Sequence, residues 1–221
     1  METLTIQFQN ELSFHEIPYF RGAMLHSLPD DENQLLHNHI DEGFRYAYPL
    51  IQYKSINGKA AIVCLNEGID PVMQLMKQPS LSVRIGRKAP QDLCIEEILP
   101  VALEPIIKNV FYTYHIHHWI SLNKENYARY VSIPRITDRI LFLEKILTGN
   151  ILSFLKGIGI HLEDALECHL LDVEKTSVTV KKGTRMVAFN ACFQTNIELP
   201  DYIGLGKHTS VGCGVIKKVT L

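Results

Sequence analysis

His37 and His39 stand two positions apart, with Asn38 between them. Imidazole titrates closer to neutral pH than any other side chain, so two of them can take up one proton and deliver another without a metal. Their spacing restricts where they can do so. On an α-helix, residues i and i+2 point roughly 200° apart, so the rings could converge only from a loop or an extended segment. Gly43, shortly afterwards, fits a loop. The plainer alternative is a pair of solvent-facing histidines in a connection. Arg45, Tyr46 and Lys54 follow closely. Arg45 and Lys54 could hold an anion or meet developing negative charge, although Lys54 reads equally well as a solvated lysine on a strand.

A second histidine group, His115-Ile116-His117-His118, lies in a stretch rich in aromatic and β-branched residues. On a strand, His115 and His117 share a face, as two metal ligands could. No third ligand is identifiable, and ordinary sheet residues are the simpler reading. Tyr112, Tyr114 and Trp119 beside them fit either a sheet surface or a base-stacking platform.

The third feature is Gly204-Leu-Gly-Lys-His-Thr-Ser-Val-Gly-Cys-Gly214, in which Gly204, Gly206, Gly212 and Gly214 bracket a five-residue insert. Paired glycines are costly in backbone entropy and mark positive φ or a close approach of backbone to another chain. The spacing is not that of a Walker loop, and no helix with an acidic residue about 20 positions on follows it, which removes a dinucleotide fingerprint. A structural bulge loop is the plain alternative.

Charge separates the two halves. The whole chain of 221 residues carries 22 Lys plus Arg against 24 Asp plus Glu, a net of −2, which argues against a polybasic binder. Residues 1–105 hold 8 basic and 14 acidic residues, net −6, and residues 106–221 hold 14 and 10, net +4. From Lys175 onward there are 7 basic residues against Glu198 and Asp201. A basic C-terminal section on a near-neutral chain suits a phosphate- or nucleic-acid-binding face, with an unevenly charged solvated surface as the alternative. The five cysteines are scattered without a C-x-x-C pair, so a disulfide framework and a zinc ribbon are not expected, and a reduced cytoplasmic protein is. No apolar run approaches the roughly 20 residues of a membrane span, and the first residues do not read as a signal peptide.

These residues need elements to hold them. Leu4–Phe8 alternates as a strand, Pro18–Leu28 reads as an amphipathic helix, and Pro49–Lys54 and Lys59–Leu65 read as strands joined by Asn57-Gly58, a hairpin signal. Asp70–Lys77 reads as a second helix and Ser80–Ile85 as a fourth strand. The order β-α-β-β-α-β is the ferredoxin-like unit. In the second half, Val110–Ser121 reads as a strand and Ile136–Leu155 as a long helix broken near Gly149-Asn150. Strands at Leu166–Glu174, Val178–Lys182 and Arg185–Gln194 follow, and a last strand ends the chain. The glycine segment occupies the place of a second helix. The expected fold is α+β: two tandem ferredoxin-like (RRM-like, βαββαβ) domains over residues 1–104 and 105–221, the second modified by a C-terminal Gly-rich loop.

Gly-hydrophobic-Gly, five residues including a basic one, then Gly-hydrophobic-Gly resembles the signature of the CRISPR-associated RNA-processing endoribonucleases, the sixth core CRISPR-associated proteins of the RAMP superfamily. Residues 204–214 match without a gap, with Lys207 as the basic residue. Phe20-Arg21-Gly22 resembles the family's first-helix region, and Leu36–His39 with Phe44–Lys54 looks like the b-type branch. The resemblance implies a metal-independent endoribonuclease that cuts CRISPR precursor RNA within repeats by 2′-hydroxyl attack, leaving 2′,3′-cyclic phosphate and 5′-hydroxyl ends. It implies catalytic roles for His37 and His39, and for Tyr46 in orienting the nucleophile or binding the scissile phosphate. Lys54 would supply positive charge. Arg45, Lys181, Lys182, Arg185, Lys207 and His208 would contact RNA, with Gly204, Gly206, Gly212 and Gly214 shaping the loop. No metal or other cofactor is implied. The partner is CRISPR repeat RNA, with other CRISPR-associated proteins or a homodimer left open and no membrane. A non-catalytic RAMP-type RNA-binding subunit is the alternative.

Overall fold

The computed structural model describes residues 1–27, 48–78, 80–179 and 185–219. His37, His39, Arg45, Tyr46, Lys181 and Lys182 lie outside the described residues. The chain forms two compact units, Met1–Ala102 with Ser210–Gly212, and Leu103–Thr209 with Cys213–Leu221.

In the first unit β1 (Glu2–Glu11) leads through a one-turn 3₁₀ helix into α1 (Ile17–His26), followed by β2 (Ile51–Ile56), β3 (Lys59–Leu65) and α2 (Ile69–Met76). The β2–β3 turn follows from its residues: Asn57 and Gly58 both adopt positive φ, as a two-residue hairpin loop requires. Glu16 closes the one-turn 3₁₀ helix ahead of α1 by accepting from the Ser13 backbone N–H and hydroxyl. Its carboxyl is held down to about 2, first by the hydrogen bond from Lys88 and then by the Ser13 backbone.

The fourth strand differs from expectation. Ser80–Ile85 yields only the short β4 (Ser82–Val83), paired with β5 (Gln91–Asp92) in a separate ribbon. The main sheet is completed by β6 (Ile95–Ala102), in the order β2-β3-β1-β6, all antiparallel. Its Glu96-Glu97 and Pro100 obscured the apolar alternation, and every residue of β6 is exposed at the sheet edge. One face of this sheet packs Leu4, Ile6, Phe8, Tyr53 and Ile62 with Ile17, Phe20 and Met24 of α1 and Val72 and Leu75 of α2. Edge-on contacts join Phe20 to both Phe8 and Tyr53, with ring centroids 6.1 and 5.7 Å apart.

The second unit runs β7 (Ile107–Trp119), α3 (Lys124–Ser132), α4 (Ile136–Gly157), β8 (Cys168–Thr179), β9 (Arg185–Ile197) and β10 (Val215–Lys218), with sheet order β10-β7-β9-β8. Both sheets thus have the ferredoxin-like order, in which the first and third strands of the unit lie in the middle. One helix is added and two local readings are corrected. The short helix α3 lies in a stretch with no sequence-level assignment; Asn123 caps it by accepting from the Asn126 N–H. Helix α4 runs unbroken through Gly149-Asn150, because Asn150 there accepts a hydrogen bond from the indole of the buried Trp119, at 2.9 Å. Over the described residues, the strands expected at 166–174 and from 178 onward are one continuous β8, bulged near Leu171 rather than interrupted. Among the described residues no helix separates β9 from β10; the glycine segment fills that place.

Candidate nucleic-acid interface

The glycine segment is built by its own backbone. Leu205 donates its N–H to the Gly214 carbonyl at 2.8 Å, Lys207 donates to Ile120 at 3.1 Å, and Gly214 donates to His118 at 3.1 Å. Gly206, Gly212 and Gly214 all have positive φ. The direction of the missing side chains shows what each empty Cβ position faces. A Cβ at Gly214 would stand 1.9 Å from the Leu205 carbonyl oxygen, and one at Gly204 2.6 Å from Thr209. One at Gly206 would meet the Ile120 carbonyl at 2.9 Å and the Trp119 ring, and one at Gly212 would meet Ile17 at 2.4 Å. Each glycine is demanded by contact within the protein. Within the first unit, Ser210 accepts from the Tyr53 N–H and Val211 forms a parallel bridge with Tyr53.

What the segment turns to solvent is Lys207 and His208, both exposed. Desolvation first, then the Lys207 charge, holds the His208 imidazole below its usual pKa although the residue keeps an exposed edge. Lys207 is the basic side chain of the loop, and His208, held below its usual pKa, offers a neutral donor and acceptor.

The glycine geometry makes a stability prediction. Gly214→Val and Gly212→Val each force strained backbone and overpacking, costing on the order of 3 kcal/mol or more. That corresponds to a fall in Tm of roughly 6–12 °C for a chain of this size. Around Gly149 in α4 the space that a methyl group would take is open, with nothing within 4 Å, so Gly149→Ala should instead raise stability by about 0.5–1 kcal/mol. Thermal unfolding followed by circular dichroism checks both; equal behaviour of the three variants would contradict the packing assignment.

Lys54 is not the solvated strand lysine that its sequence allows. It sits in β2 opposite Ala61, fully buried, on the same face as the fully buried Gln52. The Gln52 amide donates to the Tyr48 hydroxyl at 2.9 Å and the Pro49 carbonyl at 3.0 Å. Alternation hides this, because Tyr53, between them, belongs to the opposite, helix-covered face. Arg185 opens β9 opposite Thr179, exposed, with its Nε donating to the Ser177 hydroxyl at 2.8 Å.

The aromatic residues of β7 divide by face. Tyr114 and Trp119 are fully buried: Tyr114 stacks on Phe193 and exchanges hydrogen bonds with Leu199, and Trp119 bonds Asn150. Tyr112 lies under the ammonium groups of Lys108 and Lys218. None of the three is free to serve as a stacking platform. His115 and His117 alternate onto the opposite face and are exposed, with ring centroids 6.3 Å apart. Desolvation, then the neighbouring His115, lowers the His117 pKa. Among the described residues no three His, Cys, Asp or Glu side chains converge so as to hold a metal ion. Lys217, overlooked in the sequence, pairs directly across from His115; the signal was the alternation of Val215 to Val219.

No helix of the described residues is long and apolar enough to cross a membrane. Comparison with known proteins spans both units. The Cas6b N-terminal domain family matches residues 1–100 and the Cas6b C-terminal domain family residues 106–219. A crystal structure of Cas6b is similar over 99% of this chain and 100% of that one, with 26% identity and a TM-score of 0.87. A second, described as the CRISPR RNA processing endoribonuclease Cas6b, shares 22% identity and a TM-score of 0.72 over 99% of this chain and 100% of that one. An uncharacterised protein of Methanocaldococcus jannaschii is 35% identical over 114 residues, 52% of this chain and 76% of that one. With both domain families matched in order along nearly its whole length, the chain belongs to the Cas6b family of CRISPR-associated proteins.

Proposed function

We propose that this chain is a metal-independent endoribonuclease that cuts CRISPR precursor RNA within its repeats. The observation that carries the reading is the match of both Cas6b domains in order, over residues 1–100 and 106–219. One similar structure is described as a CRISPR RNA processing endoribonuclease, and a Cas6 product complex shares the fold at a TM-score of 0.64.

Internal cleavage of RNA needs a base for the 2′-hydroxyl proton, an acid for the departing 5′-oxygen and positive charge for the phosphate. One of His37 and His39 takes the first proton and the other delivers the second, giving 2′,3′-cyclic phosphate and 5′-hydroxyl ends. Tyr46 orients the nucleophile or holds the scissile phosphate, and Arg45 binds phosphate. Lys54, fully buried, acts through its field rather than by touching RNA, since charge in a low-dielectric setting reaches further than in water. Lys181, Lys182, Arg185, Lys207 and His208 bind the RNA backbone, which positions the strand without reading its sequence.

Cleavage of end-labelled repeat RNA in EDTA, with cyclic phosphate identified on the upstream product, tests the reading. RNA bound tightly but left uncut would assign a non-catalytic RNA-binding subunit instead. The loop cation gives a separate expectation. Lys207→Ala should remove about one phosphate contact and flatten the slope of log K against log salt by ~0.7. Binding across a salt series reads it, and an unchanged slope would take Lys207 out of the RNA contact.

A further inference from the structure

The second sheet presents one face to its helices and the other to solvent. Phe189, Ala191 and Phe193 of β9 face inward with Tyr114, Ile116 and Trp119 of β7, and all are buried. The outward row on β7 is Phe111, Thr113, His115 and His117; Phe111 and both histidines are exposed. Beside it on β9 lie Gln194, across from Thr113 and donating to its hydroxyl, and Cys192, across from His115. Asn190 lies further along β9, its side-chain oxygen accepting from the His118 N–H. His169 of β8 stands across from Gln194, its ring 5.7 Å from that of Phe111. Lys217 on β10 lies across from His115, exposed.

A four-stranded sheet of this order binds single-stranded RNA in other proteins through rings on its middle strands, on which bases stack, while amide side chains meet base edges. Here the middle strand β7 carries three outward rings and its neighbour β9 carries the amides. Charge selects which half of the face takes the backbone. Asp172 and Glu174 of β8, across from Cys192 and Asn190, are exposed and repel phosphates from that side. Lys217 attracts them to the β10 side. We infer that the solvent-facing side of the β10-β7-β9-β8 sheet is a platform for single-stranded RNA, with bases stacked on His115 and His117 and a phosphate held by Lys217. This rests on the proposed function, and names the part of the substrate this face takes: unpaired nucleotides. Its residues are other than Lys207, His37 and His39.

The probe is a fluorescently labelled oligouridine of about ten nucleotides, within the range of lengths such surfaces occupy. It has no repeat sequence and no structure, and binding is measured by anisotropy in EDTA across a salt series. Each base stacked on a ring contributes enough that its loss to alanine weakens binding roughly 5- to 150-fold. His115→Ala with His117→Ala removes two such contacts and should weaken binding by roughly 25-fold or more. His115→Phe with His117→Phe keeps two flat rings and should bind within a few-fold of the natural chain. Lys217→Ala should flatten the salt slope by ~0.7. All three side chains are exposed, and unchanged thermal unfolding confirms that the variants fold.

Four results overturn the platform. They are no binding of the probe by the natural chain, a double alanine variant that binds as the natural chain does, a double phenylalanine variant as weak as the alanine one, and an unchanged salt slope in Lys217→Ala. The functional reading fails on a different measurement, cleavage of repeat RNA by the natural chain. A chain that cuts repeats but binds oligouridine independently of these residues loses only the platform. A chain that binds on this face but never cuts loses only the nuclease assignment.

Discussion

A repeat RNA carrying 2′-deoxyribose at the single nucleotide before the cut is expected to be bound and left whole. In the proposed mechanism that 2′-oxygen is the nucleophile, and no other group replaces it when it is absent. The loss should therefore be complete within detection, larger than the removal of any one protein side chain. Binding should change little, because one hydroxyl among many backbone contacts carries a small share of the affinity. EDTA should leave the all-ribose substrate cleaved at its normal rate, since the proposed attack uses no ion. The measurement is single-turnover cleavage at saturating RNA, with product ends identified. Cleavage of the deoxy-substituted RNA would mean that an external water attacks, and the cyclic phosphate product would be lost with it.

The second large effect belongs to the proposed proton carriers. His37→Ala and His39→Ala should each slow the chemical step by roughly 10²–10⁴, the range for a positioned general acid or base. The double variant should be slowed by less than the product of the two, because groups acting in one transition state are not additive. Affinity for repeat RNA should stay near that of the natural chain, so the loss falls on the rate at saturating RNA. The rate should trace a bell against pH, its limbs set by the base that must be free and the acid that must be protonated. Full activity in both single variants and the double one would remove the site assignment.

Much of the architecture could be read from short-range pattern. Alternation marked β1, β2 and β3, Asn57-Gly58 marked the turn between them, and i to i+4 apolar spacing marked α1, α2 and α4, whose limits the structure moves by only a few residues. Such features follow from forces between near neighbours, which act wherever the segment ends up. The resemblance at residues 204–214 and around His37 and His39 likewise needed only residue types and spacing, and the matched domains agree with it on family.

Other decisions belonged to partners distant in sequence. Two segments, Ser80–Ile85 and Ile95–Ala102, competed to close the first sheet, and only pairing with β1 selects the second. Gly149-Asn150 looked like a helix break because propensity does not know that Trp119 waits with an indole donor. The four glycines announced unusual backbone, but whether the empty Cβ positions faced RNA or protein depended on Leu205, Thr209, Trp119 and Ile17. Lys54 read equally as a source of positive charge and as a solvated strand lysine; it is buried because β2 has both faces covered at that point. Tyr112, Tyr114 and Trp119 read equally well as sheet residues or as a stacking platform; the strand register turns Tyr114 and Trp119 inward and sets His115 and Lys217 side by side on the open face. Chemistry-bearing residues are legible one at a time, but which of them share a surface is a property of register, and register is set by the burial of a whole face at once.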